Sequence, residues 1–152
     1  MKRLMPFALT VLILMTVLTG CASESMISDS DKQTVILYKT PTCGCCGEWG
    51  KYMENQGYDV RIEMVPDLDP IKTEYGIPSH LESCHTAVIA DYFFEGHIPI
   101  EVIEKVLIEK PNISGISLPR MPSGSPGMPG TKRGQWTVYA IKDGEVSEYL
   151  KV

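Results

Sequence analysis

Three cysteines in four consecutive positions, Cys43, Cys45 and Cys46, constrain this chain more than any other feature. They follow a β-rich run, "TVILYK" at 34–39, and a Thr40-Pro41 turn. After them Cys46, Trp49, Met53 and Gln56 recur at helical spacing, with Gly57 as the C-terminal stop. The C-x-x-C from Cys43 to Cys46 thus falls where a strand gives way to a helix. There, unpaired backbone N–H groups and the positive end of the helix dipole favour thiolate over thiol. A thiolate serves disulfide exchange and metal binding equally. Cys45 is one thiol too many for a simple dithiol switch, and cysteines this crowded leave poor geometry for bridging among themselves.

The compartment bears on what those thiols do. Lys2 and Arg3 precede the apolar run "MPFALTVLILMTVL", which ends in "LTGC" at Cys21, the pattern of an export signal over residues 1–20. The run is shorter than the ~20 residues of a spanning helix. Leu18 to Cys21 resembles a bacterial lipobox, which implies that Cys21 is lipidated and anchors the chain to a bilayer. Ala22 is not the aspartate linked to inner-membrane retention, so the expected address is the outer membrane, facing the periplasm. Lipidated Cys21 and a polar, serine-rich tether fill residues 21–33, and 34–152 are expected to form one domain. Loss of two basic and no acidic residues with the signal moves the net charge from −5 to −7, which argues against a nucleic-acid partner. In an oxidising compartment, free thiols are oxidised unless something occupies them. Two disulfides among Cys43, Cys45, Cys46 and Cys84 are the alternative.

Further along, "YDVRIEM" at 58–64 predicts a second strand, and Asp69-Pro70 opens a short helix that Gly76 closes. "TAVIADYFFEG" predicts one or two strands turning near Asp91. Pro99 introduces a helix with a stripe of Val102, Ile103, Val106 and Leu107, which Pro111 ends. Residues 114–134, rich in Gly, Pro and Ser, are expected to form a long loop, and Asp143-Gly144 marks a C-terminal β-hairpin. Met53 and Met64 stand in core-like positions. The alternation predicts an α/β fold with a central sheet flanked by helices. With its C-x-x-C at the first strand-helix junction, residues 34–110 resemble the thioredoxin-like fold, and "T-P-x-C-x-x-C" is similar to the entry of glutaredoxin and arsenate-reductase relatives. Where thioredoxins place a cis-proline, this chain has Cys84-His85, with Pro78 six residues upstream.

Met121 and Met128 lie in the long loop with no apolar stripe to join. Thiolates, thioethers and imidazole make a soft donor set that selects Cu(I) over Mg, Ca or Mn. A closed zinc site on Cys43, Cys45, Cys46 and Cys84 or His85 is the competing arrangement, but methionine is a poor zinc ligand and C-x-C-C is not the paired spacing of structural zinc sites. An iron-sulfur cluster sits awkwardly with export of an unfolded chain. Crowded thiolates can bridge several Cu(I) ions, which gives Cys45 a use. Four ordered blocks, "TPTCGCCGEW", "GIPSHLESCHTAVI", "EGHIP" and "GISLPRMPSGSPGMPG", resemble the CopG-type family of exported, predicted metal-binding proteins associated with copper resistance. The resemblance implies a thioredoxin-like copper-binding domain with Cys43, Cys45, Cys46 and Cys84 as core ligands, extended to His85, His97, Met121 and Met128. The chain departs from that pattern at Arg120, where glycine is frequent, and at Pro129, where an acid is common. His80 is expected to be a hydrogen-bonding residue, and Trp49 and Tyr52 packing residues. The function expected is copper resistance by sequestration, transfer to an efflux or oxidase partner, or Cu(I)/Cu(II) cycling. A thiol-disulfide oxidoreductase using Cys43 and Cys46 is the alternative, and whether the protein is an enzyme stays open.

Overall fold

A computed structural model describes residues 33–152. The expected signal at 1–20, lipidated Cys21 and the tether as far as Lys32 lie outside the described residues. Among the described residues, eleven regular elements include seven strands in one mixed sheet: β1 (Thr34–Lys39), β2 (Asp59–Met64), β3 (His85–Ile89), β4 (Tyr92–Glu95), β5 (Gly115–Ser117), β6 (Thr137–Lys142) and β7 (Glu145–Lys151). Helices α1 (Gly44–Asn55), α2 (Asp69–Glu74) and α3 (Ile100–Glu109) and a single 3-10 turn (Ser79–Leu81) complete the set. The sheet order is β2-β1-β3-β4-β5-β6-β7. β1 pairs with β2, and β4 with β5, in parallel, and every other pairing is antiparallel. This is the mixed α/β class expected, extended to a wider sheet. Among the described residues no helix is long and apolar enough to cross a membrane.

Alternation along the strands separates two cores, because successive side chains point to opposite faces. Val35, Leu37, Ala87, Ile89, Phe94 and Ala140 meet Trp49 and Met53 of α1 and Val102, Ile103 and Val106 of α3. Phe93 and Ile141, one residue out of step, pack with Ile77 and Leu81 on the opposite face. Each fully buried aliphatic side chain of α3 contributes about 1.5–3 kcal/mol. Leu107 of the expected stripe is half-buried. Tyr52 does more than pack, since its hydroxyl accepts the N–H of Ile100 at 2.9 Å, a first-turn donor of α3 left without an intrahelical partner.

Two expectations are corrected. Residues 114–134 are not loop throughout, because β5 occupies their start, parallel to β4. It is three residues long and begins at Gly115, where a Cβ would collide with the Phe93 carbonyl and ring, so neither alternation nor β-propensity marks it. Met64 is not a core residue: it is 65% exposed, because it ends the edge strand β2, most of which faces solvent. The hairpin at Asp143-Gly144 forms as expected, with φ of 51° and 82° at those residues, the left-handed pair that two-residue hairpin turns use.

The pairings bring several chain ends to one side of the sheet. Lys39 pairs with His85 and Thr86 with Glu95, while Leu118 N–H donates to Glu95 O at 3.0 Å. The end of β1, the start of β3, the end of β4 and the end of β5 therefore exit together. Below that edge lies a buried ion pair between Lys72 of α2 and Glu95 of β4. The Glu95 carboxylate also accepts from Thr86 Oγ1 at 2.6 Å and from Ser83 N–H at 2.5 Å. Burial pushes the Glu95 carboxyl up from its ordinary value, while Lys72 and the two hydrogen bonds oppose that rise. Removing one member of a buried pair strands the other charge. Glu95→Gln is expected to cost about 3–5 kcal/mol in chemical denaturation, with Lys72→Met in the same background recovering part of the loss; a Glu95→Gln loss below about 1 kcal/mol would show that the pair is not a structural support.

Candidate metal centre

Cys43 is the N-cap residue of α1, which has no side-chain cap and no acidic residue in its first turn. The sulfurs at positions 43, 45 and 46 consequently sit at an unneutralised positive helix end. Cys46 faces inward and is fully buried, as are Trp49 and Met53 on the same helix face, whereas Cys43 and Cys45 are half-buried. Cys84 immediately precedes β3, and the pairing of Lys39 with His85 carries it to this helix end from across the sheet.

Cys43 and Cys46 are joined in a disulfide, with Cα atoms 5.5 Å apart, and Cys45 and Cys84 are free thiols. The expectation that the crowded cysteines have poor geometry for bridging is thereby corrected. One residue on each side of the helix start puts positions 43 and 46 within the separation a disulfide needs. Cys45 Sγ lies 3.7 Å from Cys43 Sγ and 3.9 Å from Cys84 Sγ, and Cys46 Sγ lies 3.3 Å from the Cys84 carbonyl oxygen. In the disulfide that last contact holds no proton; a reduced Cys46 thiol would donate there. The four sulfurs lie within 4.8 Å of one another and could hold a metal ion, as could the overlapping group Cys84, His85 and His97.

The two histidines have separate hydrogen-bond settings. His97 Nδ1 lies 2.6 Å from Pro126 O, a group that can only accept. Nδ1 must therefore carry the proton, which leaves the Nε2 lone pair facing Cys84 Sγ at 3.0 Å. A carbonyl on the far nitrogen is the usual device for orienting an imidazole toward a metal. His85 is fully buried, stacked 4.8 Å from Trp49 and 4.9 Å edge-on to His97. Its Nδ1 is 3.5 Å from Cys84 Sγ, and its Nε2 has no partner. A buried polar atom left unpaired costs about 1–3 kcal/mol.

The loop after β5 closes over this cluster from above. Gly127, at φ 78°, lies so close to α1 that a Cβ there would be 2.6 Å from Trp49 N and 2.9 Å from Cys45 O. Only glycine permits both that conformation and that approach. Met128 follows directly and is half-buried, its N–H bonded to Ser125 O at 2.8 Å. Met121 is placed differently. It is 46% exposed and lines a cavity of about 680 Å³ with His80, Leu81, Arg120, Trp136 and Tyr139, whose walls include none of the clustered cysteines. Arg120 adopts φ 66°, the left-handed conformation that suits the glycine frequent at this position in the resembling family.

Sequence reasoning missed the support beneath Cys84. Ser83 gives its N–H to Glu95 and its hydroxyl to Arg120 O at 2.7 Å, and Ser117 Oγ donates to Leu81 O at 2.5 Å. These bonds fix the segment 81–83 that delivers Cys84. The one legible signal was Glu95, a lone charge in the apolar run "YFFEGHIP".

Burial, followed by the neighbouring Cys45, pushes the Cys84 thiol up to about 12, so the metal-free site holds it protonated and a cation must displace that proton. Burial also holds His97 below the ordinary imidazole range and His85 well below it. Such groups protonate first in the unfolded chain, so their stabilisation is complete above about pH 6.5 and is lost as pH falls toward the folded values. Metal-free protein is expected to lose thermal stability between about pH 7 and about pH 5, with a shallower slope in His97→Gln; identical slopes would remove His97 as a contributor.

Residues 81–128 match the family described as "Protein of unknown function, DUF411", a span that holds Cys84, His85 and His97 and stops short of Cys43–Cys46. No curated protein matches the chain. Two solved structures are similar to it. "Copper resistance protein copG- Form 2" aligns with TM-score 0.74 and 33% identity over 80% of this chain and 99% of that one. "Copper resistance protein copG- Form 1" aligns with TM-score 0.73 and 33% identity, over 80% and 98% of the two chains.

Proposed function

The chain belongs to the family of the copper resistance protein CopG, and on that premise we propose that it binds Cu(I) at the Cys43, Cys45, Cys46, Cys84 and His97 centre and acts in copper resistance. The observation that carries this reading is the convergence of sulfur from α1 with sulfur and imidazole from β3 and β4. Cys45 and Cys84, 3.9 Å apart, can share one ion at a metal–sulfur bond of about 2.3 Å, and His97 Nε2, 3.0 Å from Cys84, belongs to the overlapping group. The tautomer that Pro126 O imposes on His97, which leaves Nε2 free beside Cys84, supplies the test of fit and suits a cation that binds sulfur and imidazole. Bound copper would supply a thiophilic cation with one-electron chemistry. The chain's own residues orient the donors, exclude water behind Trp49 and release the Cys84 proton.

The wider reading follows the same logic. Crowded sulfurs accommodate more than one ion, Met128 is the loop thioether best placed to add a donor, and Met121 is a secondary one. The protein is a periplasm-facing lipoprotein anchored through Cys21, sequestering copper or passing it to an efflux or oxidase partner, with Cu(I)/Cu(II) cycling as a further capacity. The Cys43–Cys46 disulfide favours one other reading, a thiol-disulfide oxidoreductase in which Cys43 attacks and Cys46 resolves.

Cys45 separates the two. In anaerobic titration of fully reduced residues 33–152 against a competing Cu(I) chelator, Cys45→Ser is expected to lower affinity at least tenfold or to reduce the number of ions bound. Disulfide reduction unaffected by Cys45→Ser, with no Cu(I) retained by the parent protein, would favour the oxidoreductase instead. For the loop, Met128→Leu is expected to speed Cu(I) loss to the chelator several-fold at unchanged thermal stability, and Met121→Leu to do so less; no change from either would leave the loop a packing element.

A further inference from the structure

Two of the four clustered sulfurs are consumed by a bond to each other, and the other two are not. A disulfide sulfur carries no thiolate charge and is a poor metal donor. The remaining donors are not thereby scattered. Cys45 and Cys84 stay 3.9 Å apart, and His97 Nε2 addresses Cys84 from its other side at 3.0 Å. Neither placement depends on a thiol at Cys43 or Cys46. Cys84 is held by its own segment through Ser83, and His97 by Pro126 O.

The bond is also open to exchange from one side only. Cys43 is half-buried at the helix start, while Cys46 is fully enclosed. An incoming thiolate can reach Cys43 Sγ and would expel Cys46, whose sulfur, once protonated, is placed to donate a hydrogen bond to the Cys84 carbonyl.

We propose that the Cys43–Cys46 disulfide sets the metal capacity of this centre: Cys45 and Cys84 form a two-sulfur site, with His97 held against Cys84, that persists while the bond is intact, and its reduction opens the larger four-sulfur site. This rests on the copper reading above. The co-reactant is an external dithiol. Its first thiolate attacks Cys43 Sγ, breaking the Cys43–Cys46 bond, and Cys46 leaves as thiolate and takes up a proton. Its second thiolate then attacks the donor sulfur of the mixed disulfide and releases Cys43. Two electrons and two protons pass to the protein, and the donor ends as its own disulfide. By linkage the effect runs both ways, so Cu(I) held by the four thiolates favours the reduced state as much as reduction favours metal.

The test titrates wild-type residues 33–152 anaerobically with Cu(I) against a competing chelator in two forms, disulfide-bonded and dithiol-reduced, each verified by thiol count. The disulfide form is expected to retain a single ion, and the reduced form more than one. Cys43→Ser/Cys46→Ser, kept reduced, is expected to match the disulfide form, and Cys84→Ser to empty it. In a redox buffer, Cu(I) is expected to shift the disulfide–dithiol equilibrium at least tenfold toward dithiol. Equal capacity in the two wild-type forms, or an equilibrium indifferent to Cu(I), overturns the gating while leaving copper binding in place. Failure of both forms to hold Cu(I) overturns the copper reading and the gating with it.

Discussion

The pairing of Lys39 with His85 is the constraint on which the rest depends. It is a backbone register, indifferent to the chemistry of its side chains, yet it sets the end of β1 beside the start of β3. The three cysteines that follow β1 and the one that precedes β3 then have nowhere to go but toward each other, across a separation of at least 38 residues. A shift of one residue in that register would turn every side chain of β3 to the opposite face, and His85 would leave the core with Phe94 and Trp49 while Cys84 left the helix end.

Because the register matters, the groups that hold it are buried rather than displayed. Lys72 and Glu95 form an ion pair away from solvent, an arrangement that adds little net stability but is costly to break. Its hydrogen bonds to Thr86 and Ser83 tie α2, β3, β4 and the approach to Cys84 into one unit. The loop over the cluster is held in the same manner, by the close approach of Gly127 to α1 and by the bond from His97 to Pro126 O. The site thus has a buried, hydrogen-bonded floor and a closely fitted cover, and its free donors are already oriented.

A preorganised set of soft donors and a strand-to-helix dithiol occupy the same few ångströms. Both draw on the same sulfur electrons, so a metal at Cys43 and Cys46 would exclude the disulfide there. Cys45 and Cys84 stand outside that competition. The surplus thiol of the C-x-C-C motif is therefore what distinguishes this centre from a dithiol switch.

Local signals made much of this legible in advance. Helical spacing gave α1 and α3, Asp69-Pro70 and Gly76 bounded α2, and Asp143-Gly144 placed the last hairpin, since each depends on neighbours within a few residues. The cysteines were recognisable as soft donors from residue type, and His97 through the family block it stands in. β5 and the exposure of Met64 were not legible, because a three-residue strand and an edge position are defined by what lies alongside. The Cys43–Cys46 disulfide was legible only as the alternative that C-x-x-C spacing offers, and the division of the two loop methionines between the cluster lid and a separate cavity was not legible. The sequence alone determined which donors the protein owns and the helix end where three of them start. The tertiary structure decided which of them meet, through strand register, buried charge and one close glycine contact, because these join residues that no local pattern connects.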